Sequence, residues 1–126
     1  MHSQPSLSVS EQYLDGVLVL AVSGDVDLTT APSLVERIRA ALERGDRRIV
    51  LDCRNVTFAD SKLAEAVLVG AKRLRDIGGD LAVALPPQPA RRVFEILGVD
   101  TVVAVRDSVT EAIHALRGGL PGDSAA

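Results

Sequence analysis

The feature that most constrains the fold is a regular alternation of aliphatic, strand-like runs with amphipathic helical stretches. After the apolar run "VLVLAV" at 17–22, residues 31–44 place Leu34, Ile38 and Leu42 one helical turn apart. The alternation continues through "RRIVLDC", "KLAEAVLVGAKRLRDI", "DLAVAL", "PARRVFEIL", "TVVAV" and "VTEAIHALR". Strands joined by helices run parallel and are covered by those helices. The pattern predicts an α/β domain with a mixed, mostly parallel sheet of about five strands and about four helices.

The N-terminal strands and the helix ends carry local signals of their own. Residues 7–13 begin with apolar-polar alternation, and Asp15-Gly16 before the next strand tolerates the positive φ of a tight turn, which predicts an antiparallel hairpin. Thr29 or Thr30 is predicted to cap the first helix. The last helix is predicted to begin with a capping box, formed by Ser108 and Glu111.

Length and composition indicate one domain. The chain has 126 residues, 47% of them apolar, and we expect a domain over residues 1–118 followed by a flexible tail at 119–126. No apolar run approaches the roughly 20 residues of a membrane helix, and the N-terminus does not resemble a secretory signal. We therefore expect a cytoplasmic protein that does not insert into membranes.

Several function classes find little support in the residues. A net charge of −3 and an aromatic content of 2% do not favour nucleic-acid binding. Cys53 is the only cysteine, and we expect it to pack in the core. His2 and His114 are isolated, so neither a metal site nor a catalytic base is expected. No glycine-rich phosphate loop follows a strand, so we expect no catalytic residues and no cofactor.

Two polar corners remain that composition and periodicity do not explain. The first is "SGDVDLTTA" at 23–31, and the second is "FADSK" at 58–62; each joins a strand to a helix. Because the carboxyl ends of parallel strands share one edge of the sheet, we expect the two corners to be neighbours. Taken singly, the acids and hydroxyls of each corner are better explained as helix caps, but two such corners at one edge favour a functional site. The residues that stand out in these corners are Asp25, Asp27, Thr29, Thr30, Asp60 and Ser61.

Three stretches resemble the STAS domain family, the domain of sulphate transporters and anti-sigma factor antagonists. "SGDVDLTTAPSLVERIRAAL" is similar to the family's first strand-loop-helix, and "IVLDCRNVTFADSKLAEAVLVGAKRLRDIGGDLAVA" to its second signature. "VFEILGVDTVVAVRDSVTEAI" resembles the usual close of the domain. The resemblance runs in order from about residue 7 to residue 117.

The resemblance implies a bacterial cytoplasmic regulator of the anti-sigma factor antagonist type. Such proteins bind an anti-sigma factor of the serine kinase type and thereby free a sigma factor for transcription. The kinase phosphorylates a hydroxyl at the start of the second helix, and the charge of that phosphate weakens the contact. We expect a monomer or weak homodimer. The partner-binding residues implied here are Asp25, Asp27, Thr29, Thr30, Asp60, Ser61, Lys62 and Leu63.

The sequence departs from the family at the phosphorylated position. The usual pattern is aspartate, hydroxyl, hydroxyl and glycine, whereas this chain has Asp60, Ser61, Lys62 and Leu63. Lys62 therefore replaces the acceptor hydroxyl, and Leu63 replaces the glycine. Three alternatives follow: Ser61 has become the phosphate acceptor, the protein binds without being regulated by phosphorylation, or it has another STAS role. We favour the second, because Ser61 is a natural helix cap.

Two further hypotheses belong to other classes of function. The protein could be a STAS subunit of a larger assembly, such as a lipid-transport ATPase or a signalling complex. Alternatively, Asp25, Asp27 and Asp60 could form a nucleotide-hydrolysing site. This enzyme hypothesis has the least support, since the sequence contains no recognisable set of metal and phosphate ligands.

Overall fold

Five strands and four α-helices follow one another along residues 7–118, the part of the chain that the computed structural model describes. The predicted tail at 119–126 and His2 lie outside these residues. A short 3₁₀ segment, Val99–Thr101, precedes the last strand. The elements are β1 (Leu7–Leu14), β2 (Val17–Val26), α1 (Ala31–Arg44), β3 (Arg48–Ala59), α2 (Ser61–Asp76), β4 (Asp80–Ala84), α3 (Pro89–Ile96), β5 (Ala104–Arg106) and α4 (Val109–Gly118).

The strands form one mixed sheet in the order β1-β2-β3-β4-β5. β1 runs antiparallel to β2, and the other neighbouring pairs are parallel. The turn between β1 and β2 places Asp15 at φ 54° and Gly16 at φ 78°, the conformation expected for an Asp-Gly hairpin. The predicted fold class and hairpin are confirmed.

The two faces of the sheet are covered by different helices. Leu18 and Leu20 of β2 belong to the larger apolar cluster, together with residues of α1, α2 and α3. Val17 and Val19 belong to a smaller cluster with residues of α4. This division follows from the alternation of side chains along a strand, and it explains why the middle of β2 reads as an unbroken apolar run.

β2 and β3 extend beyond the runs predicted from the sequence. β2 continues past residue 22 to Val26, and β3 runs beside it as far as Ala59. The pairing shifts register between Ala21 and Ser23 and again between Gly24 and Asp25, as happens at β-bulges. Asp25 therefore lies in a strand and not in the loop where the sequence placed it.

The "TVVAV" run is only partly a strand, so this prediction is wrong for its first half. Thr101 ends the 3₁₀ segment, Val102 is 36% exposed, and β5 begins only at Ala104, although Val103 is buried in the larger cluster. A run of apolar residues therefore does not by itself establish strand pairing. By contrast, the backbone N–H of Glu111 donates to Ser108 Oγ at 3.1 Å, as the predicted capping box requires.

Candidate functional site

The two polar corners are in direct contact, as the sequence predicted. Val26, the last residue of β2, pairs with Ala59, the last residue of β3. The backbone N–H of Asp60 donates to the Val26 carbonyl at 3.3 Å. The Thr57 hydroxyl donates to Asp25 Oδ1 at 2.9 Å. The extended ends of the two strands thus bring the starts of α1 and α2 together.

Asp27 organises the turn that leads into α1. Its Oδ1 atom accepts hydrogen bonds from the Thr29 N–H at 2.9 Å, the Thr29 hydroxyl at 2.8 Å and the Thr30 N–H at 3.1 Å. These bonds, the one from the Thr29 hydroxyl above all, lower the pKa of Asp27 below its ordinary value. Asp27 is therefore a carboxylate at neutral pH, held in a fixed position at the start of the helix.

Thr30 does not have the roles that the sequence assigned to it. It occupies the N-cap position of α1, but its side chain makes no capping hydrogen bond. Its hydroxyl donates backwards to the Asp25 carbonyl at 2.7 Å and accepts from the Asp27 N–H at 2.9 Å. Thr30 is also only 9% exposed, so its side chain supports the turn and offers little to a partner. Its inclusion among the contact residues is corrected here.

The sequence offered Asp60 or Ser61 as the cap of α2; the cap is Asp60, so the expectation that Ser61 caps the helix is wrong. Asp60 Oδ1 accepts the backbone N–H of Lys62 at 2.8 Å, while Ser61 is the first helical residue and is exposed. Lys62 Nζ lies 3.3 Å from Glu65 Oε1. This pairing places a negative charge beside a lysine that the helix dipole would otherwise disfavour.

Leu63 points into the core and not towards solvent. Its exposure is 0%, and it belongs to the larger apolar cluster below the sheet face. The expectation that Leu63 contacts a partner is therefore corrected. Its position on the inward face of α2 follows from helical periodicity, because residues 63, 67, 71 and 74 all turn towards the sheet.

The remaining polar residues form a continuous surface at one end of the sheet, which we call the acidic edge. Two apolar side chains that the sequence reasoning missed flank these residues: Leu28 is 69% exposed and Phe58 is 55% exposed. The available signal for Leu28 was an apolar residue in a polar turn, outside any helical or strand period, whereas Phe58 lies near the end of β3. The acidic edge comprises Asp25, Asp27, Thr29, Asp60, Ser61 and Lys62.

The face of the sheet that α4 covers carries a polar pocket of about 300 Å³ beside the start of that helix. On its wall, Arg54 donates to the two carboxylate oxygens of Asp52 at 2.8 and 2.9 Å. Burial acts to raise the pKa of Asp52, but the hydrogen bonds from Arg54 outweigh it and the pKa is lowered. Each charge thus satisfies the other.

Neither the acidic edge nor this pocket brings together the ligands of a metal ion. Within residues 7–118, no group of three or more His, Cys, Asp or Glu side chains is arranged to hold one. In the same residues, no helix is both long enough and apolar enough to cross a membrane. Cys53 is buried, and burial raises the pKa of its thiol to about 12.

Comparison with known proteins decides the family. A family model described as "Mlab, STAS domain" matches residues 9–106. The chain belongs to the STAS domain family. It is 32% identical over 115 residues to the "Putative anti-sigma factor antagonist BtrV" of Bordetella bronchiseptica, covering 91% of this chain and 99% of that one.

Other STAS proteins that the chain resembles have similar names. An anti-sigma F factor antagonist of Paenibacillus polymyxa is 26% identical, over 88% of this chain and 96% of the relative. The crystal structure of an anti-sigma factor antagonist from Mycobacterium paratuberculosis superimposes with a TM-score of 0.83 at 25% identity. That match covers 93% of this chain and 99% of the other. The resemblance read from the sequence is confirmed at the level of family and fold.

Proposed function

We propose that this STAS protein is a regulatory binding protein of the anti-sigma factor antagonist type. It binds an anti-sigma factor of the serine kinase type in the bacterial cytoplasm and so controls sigma-dependent transcription. The observation that carries the proposal is the meeting of the two polar corners in one partly exposed edge, in a chain whose curated relatives bear that name. The role is binding and not catalysis.

The acidic edge is the proposed docking surface. Asp27 and Asp60 each hold a backbone N–H at a helix start, so their negative charges are fixed in position before a partner arrives. Fixed charges reduce the ordering cost of binding and steer an oppositely charged partner. Exposed Thr29 and Ser61 stand next to these carboxylates and provide hydroxyl groups for hydrogen bonds.

Lys62 makes the proposed interaction independent of phosphorylation. A lysine side chain does not accept a phosphate as a serine does, and Lys62 stands where the family has its acceptor hydroxyl. Ser61 is the alternative acceptor, and its exposure means that a kinase could reach its hydroxyl. Because Asp60 and not Ser61 caps α2, capping no longer argues against Ser61 as an acceptor. We favour regulation without phosphorylation because Lys62 stands at the acceptor position of the family.

The docking proposal is tested with the purified serine-kinase anti-sigma factors of the source bacterium. Binding of each to the wild-type protein is measured by calorimetry and compared with binding to the charge-reversal variant Asp27→Lys. We expect one of them to bind the wild type and to lose at least tenfold in affinity for Asp27→Lys. Asp76→Lys, at the far end of α2, is the matched charge control and should bind like the wild type. Equal affinities for all three proteins would contradict docking at the acidic edge.

Phosphorylation is tested separately with the same kinase and ATP. Intact-mass spectrometry of the wild type and of Ser61→Ala follows incubation with the kinase. We expect no mass increase of about 80 Da in either protein, the mass that one phosphate adds. An increase in the wild type that is absent from Ser61→Ala would establish Ser61 as the acceptor and overturn regulation without phosphorylation.

Membership of the STAS family is also compatible with the second hypothesis drawn from the sequence. In this alternative the protein is a subunit of a larger assembly, such as a lipid-transport ATPase or a signalling complex. Stable co-purification with an ATPase encoded beside the gene, with no binding to any anti-sigma factor, would favour it over the first proposal.

A further inference from the structure

A groove between α1 and α2 opens directly beside the acidic edge. Its volume is about 210 Å³, and most of its lining is apolar. The groove shares Lys62 with the acidic edge, and Leu28 stands between Asp27 and Thr29, so the two surfaces are continuous. We define this α1–α2 groove by the apolar residues Leu28, Pro32, Val35, Ala66 and Val69, with the ion pair of Lys62 and Glu65 at its margin.

Two side chains of the groove are exposed although they are large and apolar. Leu28 is 69% exposed and Val69 is 40% exposed. Leu28 is also held in place, because the residues on either side of it are joined by the hydrogen bonds from Thr29 to Asp27 Oδ1. Single exposed apolar residues are common on protein surfaces, but adjacent ones lining a concave surface mark sites of interaction.

The charges around the groove indicate the chemistry of its occupant. Residues 24–36 and 57–69, which include the acidic edge and the two groove walls, contain five acidic residues and one basic residue, Lys62. Glu65 is paired with Lys62 and Glu36 with Arg39, so the negative charge at the open end of the groove is carried by Asp25, Asp27 and Asp60. An apolar groove whose open end is acidic complements a segment that combines aliphatic side chains with lysine or arginine.

We propose that the α1–α2 groove receives aliphatic side chains from the protein that docks on the acidic edge, and that basic residues of the same segment face Asp27 and Asp60. The inference rests on the proposed function, because it assigns a second contact to the same partner. Apolar contacts in the groove supply affinity, whereas the carboxylates orient the segment and speed its association.

A second copy of this chain is a poorer occupant. A symmetric dimer places the same surface of each copy against the other. Contact through this groove would therefore bring Asp25, Asp27 and Asp60 of one chain towards the same three residues of its partner, and like charges at an interface are unfavourable.

The test compares groove variants with apolar variants of matched exposure elsewhere. Leu28→Ala and Val69→Ala alter the groove; the controls are Ile96→Ala, equally exposed at 69%, and Ile77→Ala at 44%. The controls lie at the ends of α3 and α2 that point away from the acidic edge. The probe is the purified anti-sigma factor that binds the wild type, and affinity is measured by calorimetry at several salt concentrations.

We expect each groove variant to bind about five- to tenfold more weakly, and each control to stay within twofold of the wild type. Raising the salt concentration should weaken the wild type and the groove variants by the same factor, because only an apolar contact has been lost. In Asp27→Asn that salt dependence should become smaller. Leu28→Gln, which keeps the size of the side chain but makes it polar, should behave like Leu28→Ala.

The experiment distinguishes failure of the groove proposal from failure of the proposed function. If Asp27→Asn weakens binding while both groove variants bind like the wild type, docking at the acidic edge stands and the groove proposal is overturned. If no anti-sigma factor binds the wild type, the proposed function and the groove proposal both fall. If sedimentation shows a homodimer that Leu28→Ala dissociates, with unchanged affinity for the anti-sigma factor, the occupant is a second copy and the proposal is wrong.

Discussion

At the scale of single residues, Asp27 both stabilises the turn before α1 and belongs to the acidic edge. One carboxylate oxygen accepts hydrogen bonds from the backbone N–H groups and the hydroxyls of Thr29 and Thr30, so removing it leaves two N–H groups of the turn without their partner. An asparagine keeps an acceptor oxygen in the same place but removes the charge. Asp27→Ala should therefore lower the midpoint of thermal unfolding more than Asp27→Asn, while both variants weaken partner binding.

Asp27 also makes the free energy of unfolding depend on pH, and the direction follows from the hydrogen bonds around its carboxylate. The pKa of Asp27 is lower in the folded protein than in the unfolded chain. Its contribution to the free energy of unfolding is therefore complete above the unfolded pKa of about 3.9 and is lost as the pH falls through the folded pKa. Urea unfolding at pH 7 and at pH 3 should show a larger loss of stability in the wild type than in Asp27→Asn. Equal losses would contradict this role of the carboxylate.

The sequence predicted which acids stand at the site better than it predicted the roles of their neighbours. Asp27 and Asp60 lie at the starts of α1 and α2, as predicted, because an aspartate between a strand and a helix commonly accepts the free N–H groups of the first helical turn. Thr30 and Leu63 were misassigned for different reasons. The Thr30 hydroxyl is drawn back to the Asp25 carbonyl by a turn that no local pattern encodes. Leu63 was read by its place in a family pattern, although its own helical period points it inward.

At the scale of elements, the residue that caps α2 differs from the exposed hydroxyl residue that follows it. Asp60 accepts the Lys62 N–H, whereas Ser61 is exposed in the first turn. Asp60→Ala should lower the free energy of unfolding by about 1 kcal/mol, the usual value of an N-cap, and Ser61→Ala should change it by less than about 0.5 kcal/mol. Chemical denaturation of the two variants provides the comparison. A larger loss in Ser61→Ala would mean that the serine caps the helix after all.

The connection from α2 to β4 depends on two glycines that have different functions. A Cβ on Gly79 would lie 2.3 Å from the Arg47 carbonyl oxygen, which is backbone and cannot move aside easily. Gly78 has φ 86° and open space around it, so an alanine there costs only the left-handed conformation, about 1–2 kcal/mol. Gly79→Ala should therefore lower the free energy of unfolding more than Gly78→Ala does, as measured in urea. The reverse order would contradict the close approach at Gly79.

The helices, strands and turns were predictable where residues close in sequence determine them. They were less predictable where pairing with a neighbouring strand sets the length of a strand. The Asp-Gly hairpin and the Ser108–Glu111 cap depend on residues close in sequence. The extension of β2 to Val26 depends on β3 running beside it through two register shifts. That pairing lies about 30 residues away along the chain, beyond the reach of any local pattern.

At the scale of the whole molecule, the order of the strands explains why the candidate site forms at all. Because β2 and β3 are adjacent and parallel, their carboxyl ends open at the same edge, and the helices that follow them start side by side. The α1–α2 groove is a consequence of the same arrangement, since both helices then pack on one face of the sheet. The α/β class predicts this edge, and the ladder between β2 and β3 determines how closely the two corners approach.

The same topology predicts an uneven distribution of stability. Val17, Leu18, Val19 and Leu20 in β2 are at most 5% exposed, and residues 49–51 and 53 of β3 are fully buried. β1 is an edge strand with mostly exposed side chains, and β5 has only three residues. Amides in the centre of the sheet should therefore exchange with solvent only through global unfolding, whereas those of β1 and β5 should also exchange through local opening.

Native-state hydrogen exchange at increasing urea concentration measures these opening free energies strand by strand. We expect the amides of β2 and β3 to follow the global unfolding line, with a steep dependence on urea. Those of β1 should exchange from a lower opening free energy that changes little with urea, because releasing an edge strand exposes little buried surface. If β1 followed the same line as β2 at every urea concentration, the hairpin would belong to the same cooperative unit as the core. In that case the start of β1, which pairs with Gly24 beside the acidic edge, would help to hold the docking surface rigid.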